Sequence, residues 1–85
     1  MGERTLGERL QAGRLERQLS LEQVAEVTKI NPFYLKAMEH DQLHLLPAAV
    51  YVKGYVRSVG QLLGLEVSDL YSSLPSDTGG FVSLG

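Results

Sequence analysis

The chain reads Ser20-Leu21-Glu22-Gln23-Val24-Ala25 and, a few residues later, Lys29-Ile30-Asn31-Pro32. The Ser20 hydroxyl can accept the backbone amide of Gln23 while the Gln23 side chain reaches back to the amide of Ser20, which is the capping box that starts a helix. Asn31 offers a second N-cap acceptor, and Pro32 suits the first helical position because its missing amide has no partner there. The sequence therefore predicts two short helices joined by a tight turn, which is a helix-turn-helix.

Three further helices are predicted around this pair, from the spacing of apolar residues and from typical start and stop residues. One begins at Thr5 and fades near Gln18, with Leu6, Leu10 and Gly13 on its inward face. The longest opens at Leu46-Pro47 and stops at Gly64, a residue type that commonly ends helices. Residues 68–71 predict a cap and a single turn, and the second helix of the motif is expected to end near His40.

These elements predict an all-α fold, a compact bundle of about five helices that contains a helix-turn-helix. Residues 1–73 are assigned to this domain. Residues 74–85 include the turn-forming run Pro75-Ser76-Asp77-Thr78-Gly79-Gly80 and are expected to form a flexible tail or the start of a linker.

Composition limits the possible functions. Eighty-five residues allow one small core, and eight basic against ten acidic residues give a net charge of −2. That charge offers no overall positive field for nucleic acid or anionic lipid. The chain has no cysteine, no signal-peptide pattern at its start and no apolar run long enough to cross a membrane. A cytoplasmic location is expected, with any membrane attachment supplied by a segment outside this chain.

No catalytic or cofactor-binding pattern is recognisable. His40 and His44 are four residues apart, but this spacing straddles a predicted helix end and lacks a third ligand, so no metal site is expected. The carboxylates are scattered among basic neighbours, and no nucleophile is paired with a base. The chain is therefore predicted to be a non-catalytic binding module without a cofactor.

The longest helix carries two neighbouring stripes of apolar or aromatic residues. A helical step places Tyr51, Tyr55, Ser58 and Leu62 on one stripe and Val52, Val56, Val59 and Leu63 on the other. Together they are wider than one core-facing side requires, so the valine stripe is interpreted as core and the tyrosine stripe as a partly exposed docking strip. The alternative is that both tyrosines pack under the tail. The helix glycines, Gly54 and Gly60, predict places where something packs against bare backbone.

The chain also resembles a known family, the N-terminal cytoplasmic domain of RodZ-type bacterial cell-shape proteins. The resemblance covers roughly residues 6–71 and is carried by Leu6-Gly7-Glu8-Arg9-Leu10, Ser20 to Ala25, Lys29-Ile30, Tyr34-Leu35, Met38-Glu39 and above all Leu46-Pro47 with Val50 to Ser58. It implies a phage-repressor-like bundle that docks on the bacterial actin MreB through helix-four aromatics. Tyr51 and Tyr55, on either side of Gly54, match those positions, and Ser58 and Phe33 complete the predicted protein-binding set. The sequence departs from the family at Gln18, where a glycine is usual, and at Val59, where an aromatic is common.

The alternative function is that of a sequence-specific DNA-binding regulator of the phage-repressor type, since this fold usually binds operators. Its contact residues would be Lys29, Asn31, Phe33, Tyr34 and Lys36. Base-reading side chains are missing, however. Pro32 and Phe33 stand where the third helix would read bases, Ala37 occupies a second reading position, and Leu21 replaces a phosphate-contacting amide.

Charge also disfavours DNA, because the acids Glu39 and Asp41 cancel the two lysines between residues 29 and 41. A third alternative is a self-associating structural module. Nothing in the sequence requires it, so a monomer is expected.

Overall fold

The computed structural model describes residues 4–74, and the regular structure in this part of the chain is entirely helical. The helices are α1 (Leu6–Glu16), α2 (Leu21–Thr28), α3 (Pro32–Glu39), α4 (Val50–Leu63) and α5 (Val67–Ser72), with a 3₁₀ turn at Leu43–Leu45. The predicted all-α bundle is confirmed. Residues 75–85, which carry most of the predicted tail, lie outside the described residues, so the division at residue 73 stays a prediction.

Side-chain caps set the first three helix starts. Thr5 and Glu8 form a capping box at α1, and Ser20 and Gln23 form the predicted one at α2. At α3 the Asn31 side chain accepts the backbone amide of Phe33 at 2.8 Å. Each cap gives a partner to a backbone amide that the helix itself leaves unpaired, so these starts could be located from sequence.

The start of α4 was predicted three residues too early. The helix begins at Val50, and Leu46 is instead extended and buried at the end of the 3₁₀ turn. Burial of Leu46 directs the chain across the core, so residues 47–49 form the connection to α4. Ala49, at the N-cap, has no side-chain acceptor, and the first amides bond back to the carbonyls of Ala48 and Ala49.

The last helix also differs from its prediction. It spans Val67–Ser72, with Glu66 at the N-cap and no side-chain cap bond, so Ser68 lies inside the helix instead of capping it. Leu70 of this helix is buried in the core and fixes its register. Position within the core, and not a cap, determines where α5 begins.

A single hydrophobic core lies between the helices. Helix α1 packs on α3 and α4, α2 packs on the same two helices, and α5 packs on α4. The buried apolar residues are Leu6, Leu10, Val24, Ile30, Leu35, Ala37, Met38, Leu46, Val52, Val56, Val59, Leu63 and Leu70. The predicted inward residues of α1 and the valine stripe of α4 are confirmed.

An ion pair links α1 to α3. Nε and Nη2 of Arg14 donate to the two carboxylate oxygens of Glu39 at 2.7 and 3.0 Å, while Nη1 donates to the Leu19 carbonyl. The hydrogen bond to Glu39 raises the pKa of the Arg14 guanidinium above its ordinary value, and partial burial opposes this effect. Only 7% of the Glu39 side chain is exposed, so its carboxylate serves as an internal partner of Arg14.

Candidate protein-docking surface

Four aromatic rings form a continuous row across α3 and α4, which we call the aromatic ridge. It runs from Phe33 through Tyr34 and Tyr55 to Tyr51. The Phe33 and Tyr34 rings meet edge to face at 5.7 Å between centroids. Tyr34 stacks on Tyr55 at 6.3 Å, and Tyr55 stacks on Tyr51 at 5.9 Å. These separations are typical of favourable aromatic pairs, so the rings hold one another in place.

The two middle rings of the ridge support the two outer ones. Tyr34 and Tyr55 are half-buried and pack against the core, whereas Phe33 and Tyr51 are 57% and 51% exposed. The partly exposed tyrosine strip that the sequence predicted on α4 is confirmed, since Tyr51 is exposed and Tyr55 is half-buried. The ridge therefore presents aromatic surface to solvent from a rigid base.

Helix α4 extends the ridge with an uncharged exposed face. Val50 is 77% exposed, and Gly54 and Ser58 are exposed one and two turns further along. A Cβ atom built on Gly54 meets no atom within 4 Å among the described residues. By contrast, Gly60 faces Leu70, and a Cβ there would lie 2.6 Å from the Leu70 Cδ1 atom. The prediction of packing on bare backbone is confirmed at Gly60, while the Gly54 surface is open.

Val50 was missed by the sequence analysis as part of this surface. At about 100° per residue it falls outside the valine stripe and beside Gly54, so the helical wheel carried a usable signal. The ridge itself had no such signal, because Tyr34 and Tyr55 lie on different helices, 21 positions apart.

Ion pairing changes the charge balance that the sequence predicts for residues 29–41. Glu39 and Asp41 were counted against Lys29 and Lys36, but Glu39 is paired with Arg14. Asp41 accepts from the Thr5 hydroxyl and, at 2.8 Å, from the backbone amide of Gly7. The expected neutrality of residues 29–41 is therefore altered only at Glu39, whose charge Arg14 compensates. The partners of Asp41 are uncharged, so its exposed carboxylate keeps its charge beside the exposed lysines.

The structure also shows which of the positions considered for DNA contact are exposed. Ala37 is buried against the core, so it is not a groove-facing position, and the reasoning that treated it as a missing reader is wrong. Leu21 is half-buried and packs on the core. The Asn31 side-chain oxygen is occupied by the Phe33 amide. Lys29 and Lys36 are exposed. Outside the caps, the exposed start of α3 offers an aromatic ring rather than amide or guanidinium groups.

Other polar features are not assembled into a chemical site. Nδ1 of His40 lies 2.9 Å from the Lys36 carbonyl. Within residues 4–74 no three metal-ligating side chains come together, and no helix is both long and apolar enough to traverse a bilayer. A shallow cleft between α1 and α5 mixes charges, with Arg9 on one side and Glu66 and Asp69 on the other. The aromatic ridge is the most distinctive surface of the described chain.

Comparison with known proteins places residues 9–70 on a family model described as a helix-turn-helix domain. The match covers most of the chain and includes all five helices in whole or in part. No curated protein and no solved structure matches.

Proposed function

Since the chain belongs to the helix-turn-helix domain family, a fold that supports both DNA and protein binding, we propose that it is a protein-docking adaptor domain. The observation that carries this proposal is the aromatic ridge. Large rings held on a rigid base are the residues that contribute most to protein interfaces, because they bury much surface and lose little conformational freedom on binding.

The neighbouring face of α4 supports the same function. Val50, Gly54 and Ser58 are small or apolar and exposed, so a partner can approach the helix closely beside the rings. A contiguous patch of exposed apolar and aromatic side chains is typical of an interaction site. The side of α4 that bears the ridge therefore fits a protein contact better than a solvated surface.

The partner that we propose is the bacterial actin MreB. This choice comes from the resemblance to RodZ-type cell-shape proteins, in which Tyr51, Gly54 and Tyr55 match the docking positions. The domain would link the filament to a membrane anchor that lies outside these residues. It would need no cofactor and no catalytic group, since its role is to hold two structures together.

Cosedimentation with purified MreB filaments tests the proposal. Replacing the exposed ends of the ridge, Phe33→Ala with Tyr51→Ala, is expected to weaken pelleting with filaments at least about tenfold, because hot-spot aromatics contribute about 2 kcal/mol or more each. Their exposure means that the bundle keeps its core, and helical circular dichroism should be unchanged.

Leu15→Ala is the matched control. Leu15 is 58% exposed, as much as the two rings, but it lies on α1, away from the ridge. The control should pellet like the unmodified chain. Equal binding by the ridge variant and the control, or no binding by the unmodified chain, would refute the docking role.

Sequence-specific DNA binding is the second candidate. It is favoured by the helix-turn-helix itself and by the exposed Lys29 and Lys36, since one of the two nearby acids, Glu39, is paired with Arg14. The DNA-contacting set would be Lys29, Asn31, Phe33, Tyr34 and Lys36. Selection from random duplexes by gel shift discriminates the two functions, because enrichment of one motif with strong salt dependence would indicate an operator-binding regulator.

A further inference from the structure

The exposed charged side chains of α3 and α4 are all of one sign. On α3 and α4 every exposed Lys, Arg, Asp or Glu side chain is a cation, namely Lys36, Lys53 and Arg57. Helix α4 contains no Asp or Glu, and the single carboxylate of α3, Glu39, is paired with Arg14. The net charge of −2 therefore conceals a set of exposed cations on the two helices that carry the ridge.

The opposite charge lies on other helices. Glu22 and Glu26 are exposed on α2, and Asp69 is exposed on α5, while neither helix contains Lys or Arg. The two helices that carry the ridge thus contribute only cations to its surroundings. Summed charge of one sign on a contact face attracts the opposite sign and raises the association rate.

Two of these cations lie beside the uncharged surface. Lys36 comes one turn after Phe33 on the exposed side of α3, and Arg57 comes one turn after Gly54 on α4. Lys53 is different. Its Nζ atom lies 5.4 Å from the centre of the Tyr71 ring, on the side of α4 that faces α5. Lys36 and Arg57 therefore border the ridge and its α4 extension, and Lys53 does not.

We infer that the surface docking on the ridge is an acidic protein surface, with carboxylates that meet Lys36 and Arg57 on either side of apolar contacts to the rings. This inference rests on the proposed docking function and specifies its partner chemistry. A phosphate backbone would match the cations but would offer no apolar surface to the rings. A bilayer would require the rings to insert, whereas Tyr34 and Tyr55 are packed against the core.

Charge reversal tests the inference. The double variant Lys36→Glu with Arg57→Glu, and each of its single variants, are compared with Lys53→Glu, a single charge reversal on the side of α4 that faces α5. With MreB filaments as the probe, the double variant should bind at least about tenfold more weakly, and the Lys53 variant should stay within about threefold of the unmodified chain. Raising the salt from about 50 to about 300 mM should weaken binding of the unmodified chain and leave the double variant little affected.

The outcomes separate this inference from the docking proposal. If the double variant binds filaments as well as the Lys53 variant does, the acidic-partner inference is wrong, although loss of binding in the Phe33 and Tyr51 variant would still support docking. Two further probes are random 30-base-pair duplexes and phosphatidylglycerol vesicles. If charge reversal abolishes binding to either one and leaves filament binding intact, the cations serve an anionic polymer or lipid and the inference is overturned.

Discussion

Two glycines in the same helix have opposite roles. Gly60 lies against Leu70 so closely that any side chain would displace the buried leucine, and it permits α4 and α5 to pack. Gly54 meets nothing within 4 Å, so the described fold does not require a glycine there. A helix-interior glycine costs about 1 kcal/mol relative to alanine, and under the docking proposal this cost is offset when a partner packs on the bare backbone.

Replacing each glycine by alanine tests these opposite roles. Gly54→Ala should stabilise the domain against urea by about 0.5–1 kcal/mol, because helix propensity rises without a clash, and should weaken filament binding. Gly60→Ala should destabilise it by about 1–3 kcal/mol, since the buried Leu70 has to move. Equilibrium urea unfolding followed by circular dichroism measures both. If Gly54→Ala binds filaments with full affinity, the partner does not need to approach the bare backbone of α4, and that part of the docking proposal is wrong.

Two helix ends carry a non-glycine residue in a backbone conformation that favours glycine. After α1 the backbone of Gln18 has φ 58°, and after α3 that of Asp41 has φ 59°, both in the left-handed region. Gln18 stands where the resembled family usually has glycine, and the structure explains that preference, because glycine reaches this conformation without a steric penalty. The two positions nevertheless differ, since the Asp41 carboxylate binds the Thr5 hydroxyl and the Gly7 amide.

Replacing each residue by glycine should therefore have opposite effects. Gln18→Gly removes backbone strain from an exposed residue and should raise the free energy of unfolding by about 0.5–1 kcal/mol. Asp41→Gly relieves similar strain but removes both bonds to α1, so it should lower stability by about 1 kcal/mol or more. Thermal unfolding monitored at 222 nm compares them. A stabilising Asp41→Gly would show that its carboxylate contributes nothing to the position of α1.

At the scale of the whole molecule, one core holds five helices and leaves the cations on the α3 and α4 side. Two copies that met ridge to ridge in a symmetric dimer would bring Lys36 and Arg57 of both chains together. We therefore expect a monomer of 9.3 kDa whose mass in light scattering does not change with concentration. A mass that doubles at higher concentration at low salt would contradict this expectation and favour the self-associating alternative.

Local chemistry in the sequence was sufficient for much of the fold. The capping residues Ser20 and Asn31, the helix-ending Gly64 and the spacing of apolar residues depend on interactions within a few positions of the chain, so the helices and their inward faces could be predicted. The start of α4 could not, because burial of Leu46 against distant residues decides where the connection runs. The same limit applies to Ser68, whose position inside α5 follows from the burial of Leu70.

The candidate site, like the fold, could be predicted from the sequence only in part. Helical periodicity is a local property, so the sequence was enough to place Tyr51 and Tyr55 on one stripe and Phe33 in the first turn of a helix that begins at Pro32. Packing of the helices joins these rings through Tyr34 into one ridge and pairs the Glu39 carboxylate with Arg14. Both results depend on contacts between residues far apart in the chain, which form when the helices pack around their common core.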